Sequence, residues 1–284
     1  MRGFTLIIMQ YKTLLILFLI LGILFFFNQG NILAYDDKTT HPALTQEIVE
    51  FYNLSFPDKK LTDQQKEWII EGSILEDTPS RWMNHFYDPQ TGKGLWNFSS
   101  AKEWSKENIK QSLYPRGNQT WQKAISLYAE GKKQEAFIAL GHILHLIEDM
   151  AVPAHTRLDA HPEGDPYESW VKQNFERYFN PIGITKLNNL DKFFDLLASY
   201  SNKYFLSKDS INEYNIEKGN FSEKIINKKI YLISYDDQGE EYKLIEKKLI
   251  PGEIIYNLDS PVHSDYYSLL APNAISYGAG VIVD

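Results

Sequence analysis

One stretch constrains the chain more than any other: Gly141 to Trp170, reading GHILHLIEDMAVPAHTRLDAHPEGDPYESW. It holds four of the seven histidines, at 142, 145, 155 and 161, interleaved with Asp149, Asp159, Asp165 and Glu168. A helix is expected from about Lys133 to Asp149, with Phe137, Leu140, Leu144 and Ile147 on its apolar side. His142, His145 and Asp149 follow one another by three and then four residues, and at about 100° per residue they share a face. A single histidine there would read as a hydrogen-bonded core residue. Two histidines and an aspartate in register, on a helix whose other side demands burial, point to a site that holds a divalent metal.

Pro153 ends that helix, and His155 follows Asp149 by six residues, near enough for a turn to fold it back toward the same site. DAHPEGDP is loop chemistry, and a further helix is expected over Tyr167 to Tyr178 with Glu168 in its first turn. Upstream, Leu44, Ile48, Val49 and Tyr52 mark a helix from Thr40, with His41 at its start. A second helix, Thr62 to Leu75, begins at Thr62 and Asp63 and stops before Pro79, so Glu76 and Asp77 stand at a helix-to-loop transition, with His85 beyond them. Ser99 to Lys132 reads as two helical pieces broken around Tyr114 to Gly117, the second carrying Trp121, Ala124, Ile125 and Tyr128 at core spacing. Phe193 to Tyr204 reads as another helix. Two β-rich runs around Asp236-Asp237-Gln238-Gly239 then predict a hairpin within Lys228 to Ile250. The tail from Ser264 returns to helix-like content, and His263 just before it reads as a surface or capping residue.

The amino terminus has a different character. Thr13 to Phe27 runs TLLILFLILGILFFF without a charge, short of the roughly 20 residues a spanning helix needs. With Ile32, Leu33 and Ala34 as a cleavage site before Tyr35, residues 1–34 read as a signal peptide and 35–284 as one secreted domain; left uncleaved, the segment would anchor the protein to a membrane. Its loss removes Arg2 and Lys12 and moves the formal charge from −8 to −10. An acidic chain weighs against broad electrostatic binding of nucleic acid. There is no cysteine, so a metal site must be built from nitrogen and oxygen.

The arrangement His145-x3-Asp149-x5-His155, with Glu168 downstream and His41, Asp77 and His85 upstream, resembles the bacterial zinc-dependent phospholipase C family. The likeness runs from His41 to Trp170. THPALTQ resembles the family's first-ligand helix, NHFYDPQTGKG its HFYDP-type segment, HLIEDMAVPAH its central ligand helix and PYESW its glutamate motif. The resemblance implies a mainly α fold, a single multi-helix domain with the small β-hairpin as an insertion near the C-terminus, and two or three Zn2+ ions in a cleft. At the matching positions it implies Asp77, His85, His145 and Asp149 around one zinc, His155 and Glu168 around a second, and His41 at a third to which Asp149 bridges. Gly164 stands where the family has a further histidine, which leaves His161 as the substitute and Asp165 as its competitor. No tryptophan precedes His41 in the mature chain to complete the third site, and Thr78 replaces an aromatic that helps hold choline in some members. His142 falls to a supporting or core role.

The function so implied is a secreted phosphoric diester hydrolase, a phospholipase C acting on glycerophospholipids through a metal-activated water, with Asp77 as ligand and general base. The participation of at least four histidines favours zinc over calcium or magnesium. The implied partner is phospholipid, with a membrane surface as its setting, and no obligate protein partner is indicated. Three-zinc nucleases resemble this family in fold and metal arrangement, so a nuclease or other phosphodiesterase stays open, although their last ligand pair is another His-x3-Asp where this chain has the PYESW glutamate. A non-catalytic, metal-stabilised binding protein stays open as well, because Gly164 and the missing tryptophan leave gaps in the pattern.

Overall fold

The computed structural model describes residues 39–161, 164–175, 181, 183–211 and 221–284. The expected signal segment, Tyr35 and the helix end expected at Tyr178 lie outside the described residues. The helices are α1 (Thr40–Ser55), α2 (Asp63–Glu76), α3 (Ala101–Trp104), α4 (Asn108–Gln111), α5 (Trp121–Ala129), α6 (Lys133–Asp149), α7 (Pro153–Thr156), α8 (Pro166–Asn174), α9 (Leu190–Tyr204) and α10 (Ser260–Val283). Strands β1 (Ser222–Ile226), β2 (Lys229–Tyr235), β3 (Glu241–Ile250) and β4 (Glu253–Asn257) come between α9 and α10. Among the described residues no helix is long and apolar enough to cross a membrane.

The architecture is built on α6. Every residue from Gly141 to Asp149 is buried, so this stretch has no solvent face at all. Ile143, Leu144 and Ile147 enter one core with Leu44, Ile48 and Val49 of α1, Phe193 and Leu197 of α9, and Leu270 and Ala274 of α10. The remaining side carries His142, His145, Glu148 and Asp149, which must find polar partners inside the protein. Helix α2 supplies several of them. It starts with a capping box, the Thr62 hydroxyl accepting from Gln65 N and the Gln65 side chain accepting from Thr62 N. It then crosses α6 at Gly72 and Gly141. A Cβ on Gly72 would lie 1.9 Å from the Ile138 carbonyl oxygen, and one on Gly141 2.0 Å from that of Ile69, closer than any real contact. The missing side chains let the two backbones touch, and that contact delivers Glu76 and Asp77 to the polar side of α6.

Two expectations need correction. On α5, Ala124 and Leu127 are the buried residues, whereas Ile125 and Tyr128 are about half exposed. Those two line a surface hollow with Trp121, Phe137 and Leu140, so the apolar spacing marks the wall of a groove and not a core face. His263 is buried, its ring centroid 6.0 Å from that of Tyr167 and 6.4 Å from that of Trp170, and the cap of α10 is the Asp259 side chain. Burial pushes the His263 pKa down to about 4.

The hairpin expected within Lys228–Ile250 is the centre of a larger antiparallel sheet, ordered β1-β2-β3-β4. Its turn is closed by Asp236, whose Oδ1 accepts from Gln238 N and Glu240 N, with Gly239 at φ +84°. The outer strands are short and largely exposed, which removes the apolar alternation that reveals a strand in sequence. The sheet seats on α9 and α10 through Tyr231, Tyr242, Leu244 and Ile245. The Tyr242 hydroxyl donates to Tyr204 O and the Tyr266 hydroxyl to Leu244 O, each at 2.7 Å.

Candidate metal centre

Each donor arrives for a local reason. Asp77 is the C-cap residue of α2, its side chain 1% exposed. Beyond it Pro79 prevents further helix, Ser80 turns the chain at φ +76°, and a single 3-10 turn, Trp82–Asn84, presents His85. The backbone after His85 runs beside α7: Tyr87 N donates to His155 O at 3.1 Å, and His155 Nδ1–H donates to His85 O at 3.4 Å. Phe86 stacks on the His155 ring with centroids 4.5 Å apart. His41 enters from the first turn of α1 and Glu168 from the first turn of α8.

The donor atoms converge. His145 Nε2 lies 3.2 Å from His85 Nδ1, 3.4 Å from Asp149 Oδ2 and 3.5 Å from Asp77 Oδ1. His85 Nδ1 is 3.1 Å from Asp149 Oδ2. His41 Nε2 is 3.5 Å from Asp149 Oδ1, and its ring stacks on that of His145 with centroids 3.7 Å apart. On the far side of the same carboxylate, Asp149 Oδ1 lies 3.5 Å from His155 Nδ1. His155 Nε2 is 3.3 Å from Glu168 Oε1, and His161 Nε2 is 3.8 Å from Glu168 Oε2. Three groups therefore bring one ligand atom per residue within 4.8 Å of the others: His41, Asp77 and His145; His85, His145 and Asp149; His155, His161 and Glu168. The first two share His145, so the eight expected ligands fall into two neighbourhoods with Asp149 between them.

The competitors are placed elsewhere. Asp165 is the N-cap of α8, its Oδ1 accepting from Glu168 N at 2.9 Å, and it belongs to none of the three groups. His142 also stands outside them, its Nδ1 held by Glu76 Oε2.

The charge balance asks for a cation. Both oxygens of Asp77 and both of Asp149 are buried and accept no hydrogen bond among the described residues, and His85 Nε2 and His155 Nε2 are likewise without one. Buried carboxylates left in this state cost several kcal/mol each unless a positive charge answers them. Protonation shows the same demand. Burial opposes the charged form of His85, yet Asp149, Glu76 and Asp77 push its pKa up to about 10. Burial, reinforced by the negative charges of Asp165 and Asp149, raises Glu168 well above the usual carboxylate range. Nitrogen and oxygen donors in clusters of three to five, rich in imidazole and without sulfur, suit zinc.

Two carboxylates that were not singled out as site residues support the imidazoles. Glu148 Oε2 accepts from His41 Nδ1–H at 2.6 Å while its Oε1 accepts from the Thr45 hydroxyl at 2.6 Å. Glu76 is locked by Arg81 Nε at 2.9 Å, Arg81 Nη2 at 2.7 Å and Trp104 Nε1 at 2.7 Å, and its Oε1 stands 3.6 Å behind His85 Nε2. With His145 Nδ1–H donating to Ser73 O at 2.8 Å, the outward nitrogens of His41 and His145 are both engaged and their other nitrogens are aimed at the cluster.

The family model described as zinc dependent phospholipase C matches residues 40–238, well over half of the chain. The chain belongs to the zinc-dependent phospholipase C family. The matched span begins at the helix that carries His41 and ends in the turn between β2 and β3, so it holds every donor described above. Two solved structures are similar at low identity: alpha-toxin of Clostridium perfringens, from an avian strain, at 12% identity and TM-score 0.48, and alpha toxin of Clostridium absonum at 12% and 0.46. Each likeness covers 88% of this chain and 63% of the toxin, so the chain spans less than two thirds of the toxins' length. A comparison with curated proteins gives no match.

Proposed function

We propose that the protein is a zinc-dependent phosphodiester hydrolase that splits glycerophospholipids between glycerol and phosphate. The observation that carries this reading is the convergence of five imidazoles and three carboxylates, with the buried oxygens of Asp77 and Asp149 accepting no hydrogen bond among the described residues. In it His41, Asp77, His85, His145 and Asp149 hold one ion, and His155, His161 and Glu168 hold a second. A separate third ion at His41 has less support, because that ring stacks on His145 and groups with Asp77. Zinc at these positions would offset the phosphodiester's negative charge, lower the pKa of water and stabilise the departing alkoxide.

The chain's own groups do the rest. Asp77 is the general base: burial opposes its ionisation, but His145 and His85 hold its pKa low, so it is a carboxylate ready to take the proton of the attacking water. Glu148 and the Ser73 carbonyl keep His41 and His145 in the tautomers that face the site. The net charge of −8 supports lipid over nucleic acid, and the uncharged run before Tyr35 supports export by residues 1–34.

The test combines elemental analysis with hydrolysis of phosphatidylcholine, single-stranded DNA and a soluble phosphodiester, for wild type and Asp77→Asn. Zinc is expected in the wild type, with lipid hydrolysis that falls at least about a hundredfold in Asp77→Asn. Activity that survives the substitution or chelation overturns the mechanism. Cleavage of DNA without lipid makes the protein a nuclease, and cleavage of neither makes it a binding protein.

A further inference from the structure

Arg116 is placed unlike the other arginines whose surroundings the structure describes. Arg81 spends its guanidinium inside the protein on Glu76 and on loop carbonyls, and Arg157 donates to Phe205 O and Asn202 O. Arg116 is exposed, and among the described residues only its Nε–H finds an acceptor, the Thr78 hydroxyl at 3.3 Å. Its terminal nitrogens, which grip a carboxylate or phosphate as a pair, are left without one. Neither of the segments that meet here offers an acid to claim them. The chain carries no Asp or Glu between Glu107 and Glu130. On the Thr78 side the acids are Glu76, whose oxygens are taken by Arg81, Trp104 and His142, and Asp77, which is turned into the donor cluster.

The residue is nevertheless fixed against the site. Arg116 adopts φ +71°, a left-handed conformation that strains a residue with a Cβ, and Gly117 follows at φ +66°. Arg81 Nη1 braces this turn on both sides, donating to Pro115 O at 3.2 Å and to Gly117 O at 3.1 Å. The Nε and Nη2 of Arg81 hold Glu76, the residue before Asp77. Thr78, whose hydroxyl donates to Leu75 O at 2.7 Å and accepts from Arg116, is the residue after it. The turn that carries Arg116 is thus tied to the chain on either side of Asp77.

The geometry of the reaction decides which part of a substrate meets this point. A water that gives its proton to Asp77 attacks phosphorus in line with the departing glycerol oxygen, so diacylglycerol leaves on the side away from Asp77. The headgroup is the part of the lipid left within reach of Asp77's neighbours. We propose that Arg116 selects phospholipids whose headgroup carries an anionic group of its own, as serine does in its carboxylate, over headgroups that carry only a cation. This assignment deepens the phospholipase reading and rests on it.

Short-chain phosphatidylserine and phosphatidylethanolamine, used as dissolved monomers, differ only in that carboxylate. The experiment measures kcat/KM for each and, by calorimetry, the binding of each to the zinc-loaded protein. Wild type should favour phosphatidylserine in both, and Arg116→Gln should reduce the preference by about tenfold. Arg116→Lys should keep part of it, having the charge without the forked pair of donors. Arg116→Gly separates recognition from folding. Glycine suits the left-handed turn, so this variant should melt no lower than wild type while its preference falls as in Arg116→Gln. An equal loss on both lipids in Arg116→Gln, or no preference in wild type, overturns the assignment. A lower melting temperature in Arg116→Gly with the preference intact also overturns it and makes Arg116 a structural residue. Hydrolysis of both lipids with a preference indifferent to Arg116 overturns the assignment and leaves the phospholipase reading standing. A binding preference that Arg116→Gln abolishes, in a protein that hydrolyses neither lipid, upholds the assignment and counts against the catalytic reading alone.

Discussion

Glu148 places a carboxylate in a helical turn whose neighbours Ile147, Met150 and Ala151 are all buried and apolar. Its burial is tolerated because His41 Nδ1–H and the Thr45 hydroxyl both donate to it, which fixes the His41 ring. Glu148→Gln keeps the shape and an acceptor oxygen but removes the charge that makes the imidazole a stronger donor to metal. Zinc affinity, measured by competition with a chelator, should fall about tenfold or more; unchanged affinity would mean that Glu148 only fills space. The candidate donors that the structure brings together could be picked out in the sequence because histidines and aspartates recur at helical spacing in an apolar run. Glu148 could not be read that way, since its partner His41 is 107 residues away and only the packing of α1 on α6 brings them together.

At the level of elements, the site is an outcome of one helix crossing. The α2–α6 contact at Gly72 and Gly141 sets where Asp77 stands relative to His145 and Asp149. Gly141→Ala would push a methyl group into the Ile69 carbonyl and lever the helices apart. A loss of about 1–3 kcal/mol in denaturant unfolding is expected, together with reduced zinc content. Full stability and a full complement of zinc would show that the crossing has more slack than the backbone contact allows. The helices themselves were legible, because caps such as Thr62 and breaks such as Pro79 and Pro153 act locally. The outer strands were not, since β1 and β4 owe their conformation to pairing partners and not to their own alternation. Ile125 and Tyr128 show the converse: apolar spacing on α5 describes a face, but whether that face meets a core or a groove depends on what packs there.

For the molecule as a whole, ion and proton compete for the same donors. In the metal-free protein the carboxylates around His85 raise its pKa from about 6.5 to about 10. A folded-state pKa above the unfolded one gives stabilisation that is complete below about pH 6.5 and is lost as pH rises through about 10. Zinc requires the neutral ring, so its binding displaces that proton and becomes more favourable as pH rises. The gap in melting temperature between zinc-loaded and chelated protein should therefore widen with rising pH up to about pH 10, where the His85 ring of the metal-free protein becomes neutral, and level off above it. A gap that stays constant or narrows would remove His85 from the set of donors. The complete burial of the Gly141–Asp149 stretch of α6 has a separate consequence, for how the chain can change length over evolutionary time. One residue inserted or deleted between His142 and Asp149 would rotate everything beyond it by about 100° and turn half the donor set toward the apolar core. Relatives of this protein should therefore differ in length at the sheet and its turns, while the count of residues between His142 and Asp149 stays invariant.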